Sequence, residues 1–378
     1  MIPLNRPGRL KPTCLGNDYL KIHFPGDFAY YVSTASDALN LAYRKLYEKE
    51  GALRIGVSPL ACFQAIYPIV VNGHIPVFLD IDCDTFNLDA SKLKGRDDIQ
   101  GLEVIHLGGN PNDMEVILDY AHERGIPIIE DCAQALGATY NGQPLGSFGD
   151  YAAFSFIKSL HVPVGGLLLS REDLTTYTQD LSPQDTLIKR YRMLKNVLES
   201  KADHRSNNLF NLLYGGLLRL KGNYGGDVNK AINNLEPNDI KEIEYRLGYF
   251  ELLLSRRIEN AESVIQGIDT EKARIQKVTK NGVSNRNRIL LQLMDRNAEE
   301  VIIYLRGKGI AANNLTQNYL HGFQQHVAKD YLLGKYYRAG ELDTYDDIFP
   351  SIIAIPSSPF LTKPEIIYIQ AQLNAIIS

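Results

Sequence analysis

The sequence predicts an α/β fold: a largely parallel central sheet covered by helices, followed by a smaller α+β unit. Two patterns carry that expectation. From about residue 30 to 170, short apolar runs of the kind buried in parallel sheets alternate with helix-like segments. After Leu169 the alternation stops, and the chain becomes polar and helix-prone before strand-like and helical runs resume. The strand-like runs are Tyr30 to Ser33, Leu53 to Val57, Pro76 to Asp80, Glu103 to Leu107, Pro127 to Glu130, Tyr151 to Phe156 and Gly166 to Leu169. Between them, Ser36 to Tyr47, Leu60 to Val71 and Asn112 to Arg124 read as helices. Residues 1–240 are expected to form the large domain, with 171–235 as an atypical helical segment around the patch Gly222-Asn223-Tyr224-Gly225-Gly226. Asn238-Asp239 opens a candidate helix running through Arg257 toward Val264, with Asp239 placed to suit the helix dipole. Arg286 to Leu293, a helix from Ala298 to Lys308 and a closing helix from Pro364 to Ile376 complete an expected small domain over 241–378.

The bulk numbers exclude several classes. With 378 residues, 22% charged and 44% hydrophobic, the chain has ordinary globular composition. A formal net charge of −4 gives no electrostatic footprint for nucleic acid or an anionic membrane. Cys14, Cys62, Cys83 and Cys132 show no paired or metal-like spacing, so reduced thiols and no metal are expected. No apolar stretch approaches the ~20 residues of a membrane span, and no leader pattern opens the chain, so a cytoplasmic location is expected.

Two segments carry the chemistry. Pro127-Ile128-Ile129-Glu130 runs as an apolar strand into Asp131, followed by Cys132-Ala133-Gln134. Phe154-Ser155-Phe156-Ile157 leads into Lys158, with Gly165-Gly166 seven and eight positions on. A carboxylate at a strand's carboxyl end and a lysine in apolar surroundings suit pyridoxal phosphate: the amine forms a Schiff base, and the aspartate keeps the pyridine nitrogen protonated. Taken singly, each residue has a plainer reading. Asp131 also suits a helix cap, Lys158 a snorkelling strand-end lysine, and Thr34-Ala35-Ser36 an ordinary helix start rather than a phosphate site. Ser155 is placed to donate to the same phosphate, or is merely structural. Gln134 either borders the ring or is a solvated helix residue. Their joint order favours the cofactor.

These stretches resemble the DegT/StrS-type pyridoxal phosphate-dependent sugar aminotransferases, of fold type I. The matching segments are Ser33 to Leu39, Pro76 to Asp82, Ile105 to Gly109, Ile128 to Gln134, Gly146-Ser147-Phe148-Gly149-Asp150, the lysine segment and Ile355 to Thr362. The resemblance implies that Lys158 is the Schiff-base lysine, Asp131 the pyridinium partner, Gln134 the glutamine beside the ring and Ser155 the phosphate-binding serine. Ala35 and Ser36 fall on the phosphate-binding turn. Cys62 stands where many relatives place an aromatic that stacks on the ring, with Phe63 beside it as a substitute. Asn233 or Asn234 corresponds to an asparagine reaching the phosphate from a partner subunit. Departures are also present: many members place the lysine two positions later after Phe-Ser-Phe, where this chain has Leu160, and Val164 replaces the usual acidic residue before Gly-Gly. The implied activity is transfer of an amino group from an amino acid, typically glutamate, to a keto sugar, usually nucleotide-linked, in a homodimer. The alternatives are a dehydratase of the same family, in which histidine replaces the lysine, and a catalytically silent sugar-nucleotide-binding paralogue.

Overall fold

Apolar, β-branched runs at regular intervals become the strands of one large sheet. A computed structural model of the chain describes residues 16–25, 27–179, 181–183, 232–314 and 342–378. Among them, β1 (Phe28–Val32), β2 (Arg54–Val57), β3 (Ile75–Phe78), β4 (Gly101–Ile105), β5 (Ile128–Cys132), β8 (Tyr151–Ser155) and β9 (Gly166–Ser170) form a seven-stranded sheet in the order β1-β9-β8-β5-β4-β2-β3. The run from β8 to β3 is parallel, whereas β9 lies antiparallel to both β8 and β1. The chain is thus α/β with a mostly parallel central sheet, and every strand-like run of the sequence falls on one of its strands.

Burial explains why these strands lack polar alternation. All five residues of β4, β5, β8 and β9 are buried, as expected where both faces are covered. One face packs on α2 (Ala35–Glu50) and α3 (Phe63–Val71) through Leu39, Tyr43, Leu46, Ile66 and Ile69. The other packs on α1 (Gly16–His23), α4 (Met114–Arg124) and the helices Pro237–Leu247 and Phe250–Gln266. The single helix expected from Asn238 toward Val264 is therefore two. Gly248 and Tyr249 separate them, and glycine is the weakest ordinary helix former; both Tyr249 and Phe250 are buried beside the break.

A second, four-stranded sheet, β12-β14-β16-β15, is built from Ala273–Ile275, Ile289–Leu293, Ile352–Ile355 and Asn313–Asn314. Its core unites Leu291, Leu293 and Ile353 with Val301, Leu305, Ile369 and Leu373, from the helices Ala298–Gly307 and Lys363–Ile377. Thr362 and Glu365 form a capping box at the start of the last helix. Two small sheets complete the described strands: β6 (Thr139–Tyr140), β7 (Gln143–Pro144) and β13 (Gly282–Val283) in one, and β10 (Ser182–Pro183) with β11 (Asn233–Asn234) in the other. Most of the 171–235 segment, including the Gly222 to Gly226 patch, lies outside the described residues, as does Cys14.

Candidate active site

Strand β5 sets the floor of the site. Glu130 and Asp131 are consecutive, so their side chains leave opposite faces of the sheet. Glu130 is fully buried, and its carboxylate accepts from Gly146 N at 2.8 Å, Phe148 N at 2.8 Å and Gly149 N at 2.7 Å. Asp150, at the end of the same turn, accepts from Ile128 N at 2.9 Å. These bonds explain why the Glu-Asp and Gly-Ser-Phe-Gly-Asp segments occur together: the second is the turn that satisfies the first. Gly146 must be glycine there, since its φ is +94° and a Cβ would lie 2.3 Å from the Phe154 ring.

Asp131 faces the other way, into a cleft lined by Leu60, Cys62, Ile105, His106, Leu107, Asp131, Gln134 and Lys158. The space between these side chains, open solvent included, is about 300 Å³. Burial pushes the Asp131 carboxyl above its ordinary range, and the Lys158 ammonium pulls it back. Oδ1 accepts from Ala133 N at 2.9 Å. A buried carboxylate with so few donors is costly, and a cationic partner in the cleft would offset that cost.

Lys158 sits on α5 (Phe156–Ser159), a single turn that follows β8 directly. Four of the sequence-derived residues therefore share the cleft: Lys158, Asp131, Gln134 and Cys62. Gln134 Oε1 accepts from Gly108 N at 3.1 Å, which fixes its side chain against the β4 end. Cys62 stands at the N-cap position of α3, and burial raises its thiol, with Lys158 opposing. Phe63 is turned to Tyr67, ring centroids 5.5 Å apart, and does not line the cleft.

The remaining candidates gather at the neighbouring start of α2. Thr34 caps this helix by accepting from Asp37 N at 3.1 Å, which leaves the N–H groups of Ala35 and Ser36 outside the helical ladder. Ser155 pairs with Gly166 across β8 and β9. Gly166 in turn packs so tightly on this corner that a Cβ would lie 2.3 Å from Thr34 C and 2.7 Å from Ala35 N. Gly165 N donates to Ser33 O at 2.7 Å. Ser33 Oγ donates to Asn234 O at 2.8 Å, which brings Asn234 of the same chain to this corner, and its own Oδ1 accepts from Leu235 N at 2.8 Å. Ser36 Oγ donates to Gln64 O at 3.1 Å.

His106 is the residue to which sequence reasoning gave no role. Its Nδ1 accepts from Asn112 N at 3.2 Å, so Nε2 bears the proton and donates to Glu130 Oε2 at 3.2 Å. The fully buried ring thereby joins the Glu130 turn to the cleft wall. Its position, one residue past β4 and beside the Asp131 strand, was the available signal. His106, Glu130 and Cys132 bring ligand atoms within 4.8 Å of one another, but both Glu130 oxygens already serve as acceptors.

Residues 20–183 match the profile of the DegT/DnrJ/EryC1/StrS aminotransferase family. Over 158 residues the chain is 34% identical to GDP-perosamine synthase of Escherichia coli O157:H7, covering 41% of this chain and 43% of that protein. Over 127 residues it is 38% identical to dTDP-3-amino-3,6-dideoxy-alpha-D-galactopyranose transaminase of Aneurinibacillus thermoaerophilus, covering 33% of this chain and 35% of that one. The alignments thus span less than half the length of these curated relatives. Among solved structures, S. venezuelae DesV in complex with a ketimine intermediate superposes with a TM-score of 0.70 at 20% identity, over 98% of this chain and 91% of that one. The GDP-4-keto-6-deoxymannose-3-dehydratase ColD superposes with a TM-score of 0.70 at 20% identity, over 95% and 92%. Residues 20–183, which contain every residue lining the cleft, thus match the DegT/DnrJ/EryC1/StrS aminotransferase family.

Proposed function

We propose that the protein is a pyridoxal phosphate-dependent aminotransferase that moves an amino group from an amino acid, glutamate in the first instance, to a keto sugar carried on a nucleotide. The observation that carries this reading is the shared cleft of Lys158 and Asp131 at the carboxyl ends of β8 and β5. The residues present fit the cofactor. A buried carboxylate with one backbone donor matches a pyridinium nitrogen, and the N–H groups at the start of α2 that lie outside the helical ladder match a phosphate.

In this reading Lys158 holds the cofactor covalently, Asp131 pairs with its ring nitrogen, and Gln134 and Cys62 border the ring. Ala35, Ser36 and Ser155 take the phosphate, with Asn234 at the same corner. When bound, the cofactor supplies an electron sink for the carbanion formed at the donor's α-carbon. Once the donor's amine has displaced it, Lys158 would take the proton from that carbon and deliver it to the cofactor, help of a kind typically worth about 10²–10⁴-fold. Asp131 keeps its negative charge against the ring throughout. Because ColD, named as a dehydratase, has the same fold, the fold does not choose the reaction; the lysine at position 158 does. The reading extends to a homodimer acting in the cytoplasm, with a cofactor domain over residues 1–240 and a small domain over 241–378. No described helix is long and apolar enough to cross a membrane.

Absorption spectra test it. Protein mixed with pyridoxal phosphate should acquire a visible band, glutamate should bleach it, and a keto-sugar nucleotide should restore it. Lys158→Ala should lack the band altogether; an unchanged band in that variant would sink the assignment.

A further inference from the structure

We propose that Arg246 and Arg257 are positioning residues for Lys158, acting as a carbonyl clamp on the turn that carries it. The inference rests on the reading of Lys158 as the cofactor-holding lysine. A single helical turn cannot hold itself in water, and its terminal carbonyls have no partners within the helix. Here Leu160 N→Phe156 O, at 2.8 Å, closes the turn, while the carbonyls at its exit are taken by distant side chains. Arg257 Nη2 donates to Ser159 O at 2.9 Å. Arg246 Nη1 donates to Leu160 O at 2.9 Å and to His161 O at 3.3 Å. Asn287 Nδ2 approaches Lys158 O at 3.5 Å.

The expense of this arrangement argues that it does more than fill space. Arg257 is 1% exposed, and its Nη1 is buried with no hydrogen-bond partner among the described residues, so a guanidinium has been desolvated for its bond to the residue after Lys158. His161, next in the turn, takes a left-handed φ of +57°, a conformation unfavourable for a non-glycine residue and held in place by the Arg246 bond. Both arginines come from the helix pair 237–266, which the break at Gly248 lets contact the turn from two directions. The lysine's backbone is thereby set by the C-terminal half of the chain, even though the lysine itself lies in the sheet domain.

The test uses the full-length protein and three variants: Arg246→Gln, Arg257→Lys and Arg257→Met. In cofactor-free protein, the rate at which an amine-acylating reagent modifies Lys158 is followed by peptide mass spectrometry, with exposed Lys49 as internal reference. In protein given pyridoxal phosphate, the pH midpoint of the visible band is measured. Arg246→Gln and Arg257→Met should change the Lys158 rate about three- to tenfold, the size expected from losing ordinary hydrogen bonds, leave Lys49 unchanged, and shift the midpoint. Arg257→Lys, which keeps one donor for Ser159 O, should fall between the parent and Arg257→Met. A loss of melting temperature with parental rate and midpoint would show a merely structural role and overturn the proposal. Should Arg257→Met fail to fold, Arg246→Gln decides alone, since that side chain is 24% exposed. Absence of a visible band in the parent would count against the cofactor reading, and the acylation rates would still judge the clamp.

Discussion

The floor of the cleft and the lysine turn beside it are held in opposite ways. On the floor, Glu130 takes three N–H groups from a turn 16 to 19 residues away, and the support is local and dense. The lysine turn is held by Arg246 and Arg257, 86 and 98 residues distant. Dense local support suits a group that must not move. A turn clamped from another part of the chain can answer to what happens there, such as repacking of the helices on the sheet.

Substitutions sharpen that contrast. The largest effect is expected for Asp131→Asn, which keeps the shape of the floor and removes its charge. Amino transfer should fall by about 10²–10³-fold with little change in melting temperature, and parental activity would remove Asp131 from the chemistry. Glu130→Gln attacks the floor's scaffold instead. Replacing a buried carboxylate that serves three backbone donors should cost about 3 kcal/mol, read as a lower denaturant midpoint; a stability loss below about 1 kcal/mol would mean that the turn holds itself.

The smallest effect concerns the lysine turn and appears only in acid. Burial, assisted by Arg257 and Arg246, lowers the His161 pKa from 6.5 to about 3. The unfolded chain therefore binds a proton below pH 6.5 that the folded protein refuses until pH nears 3. The stability is complete above pH 6.5 and is lost as pH falls through that window. Between pH 7 and pH 5 the loss should be about 1 kcal/mol after allowance for partial solvent screening. His161→Gln should flatten the acid limb of the melting curve. If the parent and variant limbs superimpose, His161 is not buried as described.

The floor was the more legible region because its parts are near one another in sequence. The apolar run into Glu130-Asp131, and the glycine turn ending at Asp150, are visible as residues, and the bonds between them span fewer than two dozen positions. Strands β2 to β5, β8 and β9 could be read from unbroken apolar runs, with ends displaced by one or two residues. The lysine turn was less legible. Lys158 stands out among Phe, Ile and Leu, but nothing local marks Arg246 or Arg257 as its neighbours, since an arginine on a helix usually reads as surface. The division of the long helix at Gly248 was missed for a related reason: the apolar period continues across it, and only tertiary burial of Tyr249 and Phe250 shows why it parts there. His106 lies within the segment Ile105 to Gly109, but its task is not legible there, because its tautomer and its bond to Glu130 exist only once β4 and β5 are side by side.

The antiparallel pairing of β8 with β9 has an evolutionary corollary. Since Ser155 sits opposite Gly166, residues 156–165 form an excursion whose two ends are already stapled together by the ladder. Residues can be inserted into or deleted from such a loop at small entropic cost, because closing it does not depend strongly on its length, and the register of the sheet is untouched. A lysine displaced by two places relative to Phe-Ser-Phe is the kind of change this geometry tolerates, provided that counting back from the glycine pair still delivers the amine to the same spot.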